Sequence, residues 1–296
     1  MNGGRSGPAA SRSAWRIGRV RRTCDIDGAA HVRKNAIILG MARSGTSLTA
    51  SIFGRTGYFA GDELVPANHQ NPTGYWEARS LLRHNAGILM STGFERDNSW
   101  MYAPMTEAQI AALAQVRLGD EQRGFVAQFE RHAPWLWKDP RLCYTLRCWW
   151  PLLNHDTTAA LLVERDREAI FRSFVRVGWR ELTADDRAAT YARIDAHMAS
   201  ARQTLQDLAI PSLTIRYEDY RERPADVIAR INDCFGVDLS ADDIGYEDDF
   251  NHDSLVGSIG TRIDQMATLL PAPLRRFVKR LTPRTVLRKM YPERFR

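Results

Sequence analysis

No run in this 296-residue chain approaches the roughly 18 consecutive apolar residues that a membrane-crossing helix needs, so no transmembrane helix is expected. The N-terminus is rich in arginine and lacks the apolar centre of a secretory signal peptide, and a cytoplasmic location is the expectation. Cysteine is scarce and scattered: Cys24, Cys143, Cys148 and Cys234 form neither a Cys-x-x-Cys pair nor a Cys/His spacing suited to zinc. Neither a disulfide framework nor a structural metal is expected. There is no internal repeat, and low complexity is confined to the leader.

The charge is plentiful but unevenly placed. Residues 1–34 carry eight Arg/Lys against two Asp, and residues 272–296 carry nine against one Glu, so the net +6 comes from two cationic ends around an acidic body. Such ends favour polyanions or anionic membrane surfaces and give no reason to expect sequence-specific nucleic-acid binding.

Residues 1–34 mix Gly, Ser, Ala and Arg without apolar periodicity and read as a disordered leader. A globular domain is expected over 35–250, followed by a basic amphipathic extension, 251–296. Strands are predicted near 36–40, 134–138, 158–164 and 211–217. Helices are predicted near 45–56, 76–92, 140–153, 166–179, 185–209 and 223–235, with one long helical region near 106–132. Strands separated by helices imply an α/β fold with a parallel sheet, whose ligands bind at the carboxyl ends of the strands. Gly40, Lys138, Arg165 and Tyr217 all fall at such ends.

The most informative segment is Ala36-Ile-Ile-Leu-Gly-Met-Ala-Arg-Ser-Gly-Thr-Ser-Leu48, an apolar run, a glycine loop and an amphipathic stretch. It matches the phosphate-loop spacing Gly, four residues, Gly-Lys-Ser/Thr, except that Thr46 stands in place of the lysine. That ammonium normally reaches the terminal phosphates of a nucleoside triphosphate, so the loop suggests an anhydride with less terminal charge. Ser44 to Ser47 also suit helix capping, and capping geometry is what turns backbone N–H groups toward an anion.

Gly-Met-Ala-Arg-Ser-Gly-Thr-Ser-Leu resembles the 5′-phosphosulfate loop of sulfotransferases that use 3′-phosphoadenosine 5′-phosphosulfate (PAPS), particularly their bacterial and Golgi-type branch. Asn71-Pro-Thr-Gly-Tyr-Trp-Glu77 resembles the segment with the acceptor-side glutamate, Trp137-Lys-Asp-Pro-Arg141 the strand-end lysine motif, and Leu162 to Ser173 the 3′-phosphate motif. Tyr217 looks like a nucleotide-side element. The resemblance spans roughly residues 36 to 236. It implies a three-layer α/β fold with a central parallel sheet and a phosphate-loop-like first βα turn, as in nucleotide kinases.

By that resemblance Arg43, Ser44, Gly45, Thr46 and Ser47 hold the 5′-phosphosulfate, and Arg165 with Ser173 grips the 3′-phosphate. Tyr217 either contacts adenine or belongs to the core. Lys138 and Arg43 stabilise the transferring and leaving groups, and Glu77 is the general base. A first-turn position would instead lower the Glu77 pKa through the helix dipole, whereas flanking aromatics would raise it by desolvation. His69 and His84 are the fallback bases. Asp139 reads as an N-cap with Pro140 at the first helical position, leaving Lys138 to face the crevice. Arg141 either reaches substrate or pairs with an acid, while Arg167, Arg172 and Arg176 have no assigned role and Trp149 and Trp150 read as packing.

PAPS is then the donor, adenosine 3′,5′-bisphosphate (PAP) the product, and a metal clamp is dispensable because a sulfuryl group carries less charge than a phosphoryl. The acceptor is a hydroxyl-bearing molecule, with a carbohydrate or glycolipid favoured; long loops at 57–75 and 93–105 are where its specificity would reside. The stretch Leu270 to Phe295 either packs on the domain or lies on an anionic membrane. A phosphate-loop kinase or NTPase is the rival enzyme class, and a non-catalytic nucleotide-binding module or anionic-surface adaptor the rival of another kind.

Overall fold

A computed structural model describes residues 32–68, 70–71, 74–94 and 104–245. The leader up to residue 31, His69, most of the 93–105 loop and the extension from residue 246 lie outside the described residues. Within the described residues the four predicted strands all form: β1 (Asn35–Leu39), β2 (Leu136–Lys138), β3 (Thr158–Glu164) and β4 (Ser212–Arg216). They make one parallel sheet in the order β2-β1-β3-β4.

The sheet is covered on both faces, and strand alternation shows how. Ile37 and Leu39 of β1, Ala160 and Leu162 of β3, and Trp137 of β2 enter one core cluster. Their neighbours Ala36, Ile38, Leu161, Val163 and Leu136 enter another. The first cluster is completed by α2 (Arg79–Met90), α4 (Asp120–Glu130), α5 (Leu142–Trp149), α6 (Arg167–Arg176) and α7 (Ala184–Asp207). The second is completed by α1 (Thr46–Arg55) and α9 (Pro224–Phe235), the latter preceded by the single turn α8 (Asp219–Glu222). This is the expected three-layer α/β architecture.

Alternation also aims Lys138. It shares its face with Leu136 and is paired in register with Ile38, so its side chain rises on the α1 side of the sheet, at the sheet's carboxyl edge.

Two helices differ from expectation. The predicted region 106–132 divides into α3 (Glu107–Gln115) and α4, because Val116 turns extended and the chain restarts at Gly119, whose N–H donates to the Gln122 side-chain oxygen at 3.0 Å. The helix expected from 76 begins only at Arg79. Trp76 adopts a left-handed φ of 58° and Ala78 is extended. Backbone bonds from Val65 N–H to the Glu77 carbonyl (2.8 Å) and from Arg79 N–H to the Glu63 carbonyl (2.9 Å) hold the segment as a bridge to 63–65. Glu77 therefore stands outside the helix, and the premise for a dipole-lowered pKa is gone. Among the described residues no helix is long and apolar enough to cross a membrane.

Candidate active site

The loop between β1 and α1 ends in Gly45, the N-cap of α1, with φ 98°. A side chain there would be strained, and a Cβ would stand 2.0 Å from the Tyr217 ring, so the glycine is required by both backbone and contact. No side chain caps α1 and no acid occupies its first turn. The first N–H groups of the helix have no intrahelical acceptor, and they and the positive end of the dipole are left for an anion. Capping by Ser44 to Ser47 is not what the loop does. Ser44 is buried in it, and its hydroxyl meets no hydrogen-bond partner among the described residues. These are donors that fit an oxyanion.

Cations gather on the β3 side. Arg43, itself at a left-handed φ of 67°, donates from Nε to Ser173 Oγ (3.0 Å) and from Nη1 to the Gln70 carbonyl (2.9 Å). Arg165 donates to the Arg43 carbonyl at 3.0 Å and lies 4.3 Å over the Tyr217 ring. Burial lowers the Arg43 pKa to about 10; Tyr75 opposes that fall, and repulsion from Arg176 and Arg165 adds to it. Arg176 thus borders the site. Arg167 and Arg172 turn away to Asp195 and Glu168.

On the β2 side Lys138 Nζ meets Glu77 Oε1 at 2.5 Å and reaches Ser47 Oγ at 3.4 Å, while Asn71 Nδ2 donates to the same hydroxyl at 3.0 Å. Lys138 is 4% exposed and Glu77 12%. Burial raises the Glu77 carboxyl above its ordinary value, and the ammonium pulls it only part of the way back. The indole of Trp76 seats on α1, where a Cβ at Gly54 would lie 2.0 Å from the ring. That contact and the left-handed turn at Trp76 aim the next residue at Lys138.

A buried network anchors the chain just beyond Lys138. Asp139 Oδ1 accepts from the Arg141 N–H and from Arg141 Nη1, both at 3.0 Å, and Asp139 Oδ2 accepts from Asn85 Nδ2 at 2.8 Å. Asn85 Oδ1 accepts in turn from Thr145 Oγ1 and Trp149 Nε1, each at 2.8 Å. Asp139 closes the turn ahead of α5, which starts at Leu142, two residues later than expected from Pro140. Arg141 pairs with Asp139. Trp149 and Trp150 are buried.

The structure thus brings Arg43, Ser44, Gly45, Thr46, Ser47, Glu77, Lys138, Arg165, Ser173 and Tyr217 to one edge of the sheet. His84 is elsewhere, packed 4.7 Å from Phe125 and 5.8 Å from Trp149 with its pKa lowered by burial. Three contacts were not foreseen: the hydroxyl bond from Asn71, the carbonyl of Gln70 and the network through Asn85. Only Asn71 carried a signal, as part of the segment that ends in Glu77. A cavity of about 180 Å³ lined by Ser44 and Arg165 adjoins the site, whereas a larger one of about 670 Å³ lies remote from it, between the last turns of α3, α5 and α7. No cluster of three or more His, Cys, Asp or Glu suited to a metal occurs among the described residues. The edge combines anion-directed amides and guanidinium groups with an acid–ammonium pair, and this suits transfer of an anionic group onto a hydroxyl.

A family model described as "Sulfotransferase family" matches residues 36–241, more than half of the chain. No curated protein matches the sequence. Similar solved structures include the sulfotransferase domain of the Synechococcus PCC 7002 olefin synthase, at 19% identity over 74% of this chain and 79% of that one, with a TM-score of 0.42. The sulfotransferase domain from the curacin biosynthetic pathway matches at 17% identity over 76% and 82%, with a TM-score of 0.44. A sulfotransferase from Alicyclobacillus acidocaldarius matches at 14% over 82% and 99%, with a TM-score of 0.42.

Proposed function

The chain belongs to the sulfotransferase family, and we propose that it transfers a sulfuryl group from PAPS to an acceptor hydroxyl, with a carbohydrate or glycolipid as the favoured acceptor. The observation that carries this reading is the single Ser47 hydroxyl that links the phosphate loop to the Lys138–Glu77 pair, so that the anion-directed loop and the acid–base pair form one site. PAPS, when bound, supplies an activated sulfate on a phosphoanhydride.

The chain's residues divide the work. Amides of the Gly45 to Ser47 turn and the Ser44 hydroxyl bind the phosphosulfate oxygens, and Arg43 balances their charge. Arg165 and Ser173 bind the 3′-phosphate, with Tyr217 beside the adenine. Glu77 accepts the acceptor proton as the new O–S bond forms. Lys138 then donates to the bridging oxygen as its bond to sulfur breaks, which requires the ammonium to release Glu77.

Adenosine 3′,5′-bisphosphate should raise the melting temperature of the purified protein, while AMP, and ATP with Mg²⁺, should not. An equal shift from ATP with Mg²⁺, or none from the bisphosphate, would reject the donor assignment.

A further inference from the structure

A single side-chain oxygen collects three donors beside the phosphate loop. Asn68 Oδ1 accepts from the Gln70 N–H at 2.9 Å, the Asn71 N–H at 3.0 Å and the Tyr75 hydroxyl at 2.9 Å. The backbone closes the same turn: Asn68 N–H donates to the Asn71 carbonyl at 3.2 Å and Asn71 N–H to the Asn68 carbonyl at 3.1 Å. An amide oxygen has two lone pairs, so three donors use its whole capacity. A short polar side chain that bonds the backbone two and three residues on fixes a turn that the backbone alone leaves loose.

The turn delivers two groups to the loop. The Gln70 carbonyl accepts from Arg43 Nη1 at 2.9 Å while Ser173 Oγ accepts from Arg43 Nε at 3.0 Å, which fixes the guanidinium plane and leaves Nη2 for a ligand. Asn71 Nδ2 donates to Ser47 Oγ at 3.0 Å, and Lys138 Nζ reaches the same oxygen at 3.4 Å. Both lone pairs of that hydroxyl are then taken, and its proton is left to point toward an outside oxyanion. The third bond runs to Tyr75, two residues before Glu77. Burial raises the Tyr75 pKa, the Asn68 bond lowers it, and Arg43 and Glu77 act on it in opposite directions, so the phenol lies in the field of both.

We propose that Asn68 is a positioning residue: through its side-chain oxygen it sets Arg43 and Ser47 for the anhydride of the donor and ties them, by way of Tyr75, to the segment that bears Glu77. This rests on the sulfotransferase reading above and adds to it a residue that itself touches neither donor nor acceptor. Its contribution is to order the site before the donor arrives, so that binding does not have to do so.

The test is calorimetric titration of the full chain with adenosine 3′,5′-bisphosphate. Asn68→Leu, close in shape but without the oxygen, should bind it about 10-fold more weakly than the parent, whereas Asn68→Asp, which keeps an acceptor in the same place, should stay within about 3-fold. Tyr75→Phe should cost about 3-fold in the parent and nothing further in Asn68→Leu, since the oxygen it bonds is gone. A lower melting temperature in Asn68→Leu with parental affinity would make Asn68 a structural residue only and overturn the proposal. Equal losses in Asn68→Leu and Asn68→Asp, or a Tyr75→Phe loss that adds in full to that of Asn68→Leu, would do the same. So would parental affinity in Tyr75→Phe, which removes a single bond and decides the matter should Asn68→Leu fail to fold. A parent that does not bind the bisphosphate rejects the donor assignment and the proposal with it, whereas a parent that binds while the variants match it rejects the positioning role alone.

Discussion

Burial and the Lys138 ammonium act in opposite directions on the charge of Glu77. The carboxyl is raised by burial and the ammonium at 2.5 Å opposes that rise, and a base works only when deprotonated. Activity should therefore be present above the Glu77 pKa and fall as pH drops through it, with the acidic limb of kcat/KM lying above the range of an ordinary glutamate. Replacing Lys138 with Met removes the opposing charge and should move that limb to still higher pH. A limb that stays in place across the two pH profiles would show that Glu77 is not the titrating group. Lys138→Ala should also lower kcat by about 100-fold or more with little change in donor affinity, as for a contact made only in the transition state. Arg165 invites a different comparison. Its Ala variant should weaken binding of the bisphosphate by about 2–4 kcal/mol, roughly 30- to 1000-fold, with a much smaller effect on a sulfuryl-donor nucleotide that lacks the 3′-phosphate. Equal losses in calorimetric titrations of both nucleotides would remove Arg165 from the 3′-phosphate.

Between residues and fold, the decisive elements are two approaches to α1, Tyr217 against Gly45 at its start and Trp76 against Gly54 at its end. Gly54→Ala puts a methyl where the indole lies, and helix propensity would otherwise favour that change. The substitution should displace Trp76, and with it Glu77, lowering kcat by about 10-fold or more while the bisphosphate shift persists. A variant with parental kcat would detach Glu77 from this device. The phosphate loop and the strands were legible in the sequence because their signals are local: an apolar run, glycines, small hydroxyls. The turn at Trp76 was not, since nothing local marks a tryptophan for left-handed backbone. The break at Val116 was hidden because Val-Arg-Leu continues an apolar pattern that only tertiary packing interrupts. Asn85 reads as a polar residue within a helix, and its bond to Asp139 spans a sequence separation of 54.

For the whole molecule, the charge divides between two cationic flanks and an acidic body. The described fold closes on itself at both ends: Lys34 N–H donates to the Phe235 carbonyl at 3.0 Å, Arg33 donates to the Thr56 carbonyl at 2.9 Å, and Arg55 donates to the carbonyls of Asp243 and Ile244. Residues 1–31 contribute six Arg against two Asp, and residues 246–296 ten Arg/Lys against six Asp/Glu, so a chain trimmed to 32–245 turns from net basic to slightly acidic. If the flanks are leader and extension to an autonomous domain, the trimmed chain should melt within about 2–4 °C of the parent, a change near 1 kcal/mol, and keep its bisphosphate shift. Its retention on a polyanion column should collapse, because binding through clustered Arg and Lys falls with each charge removed. A trimmed chain that unfolds, or that loses the nucleotide, would place part of the flanks within the folded unit, whereas unchanged polyanion retention would locate the basic surface on the sheet domain itself.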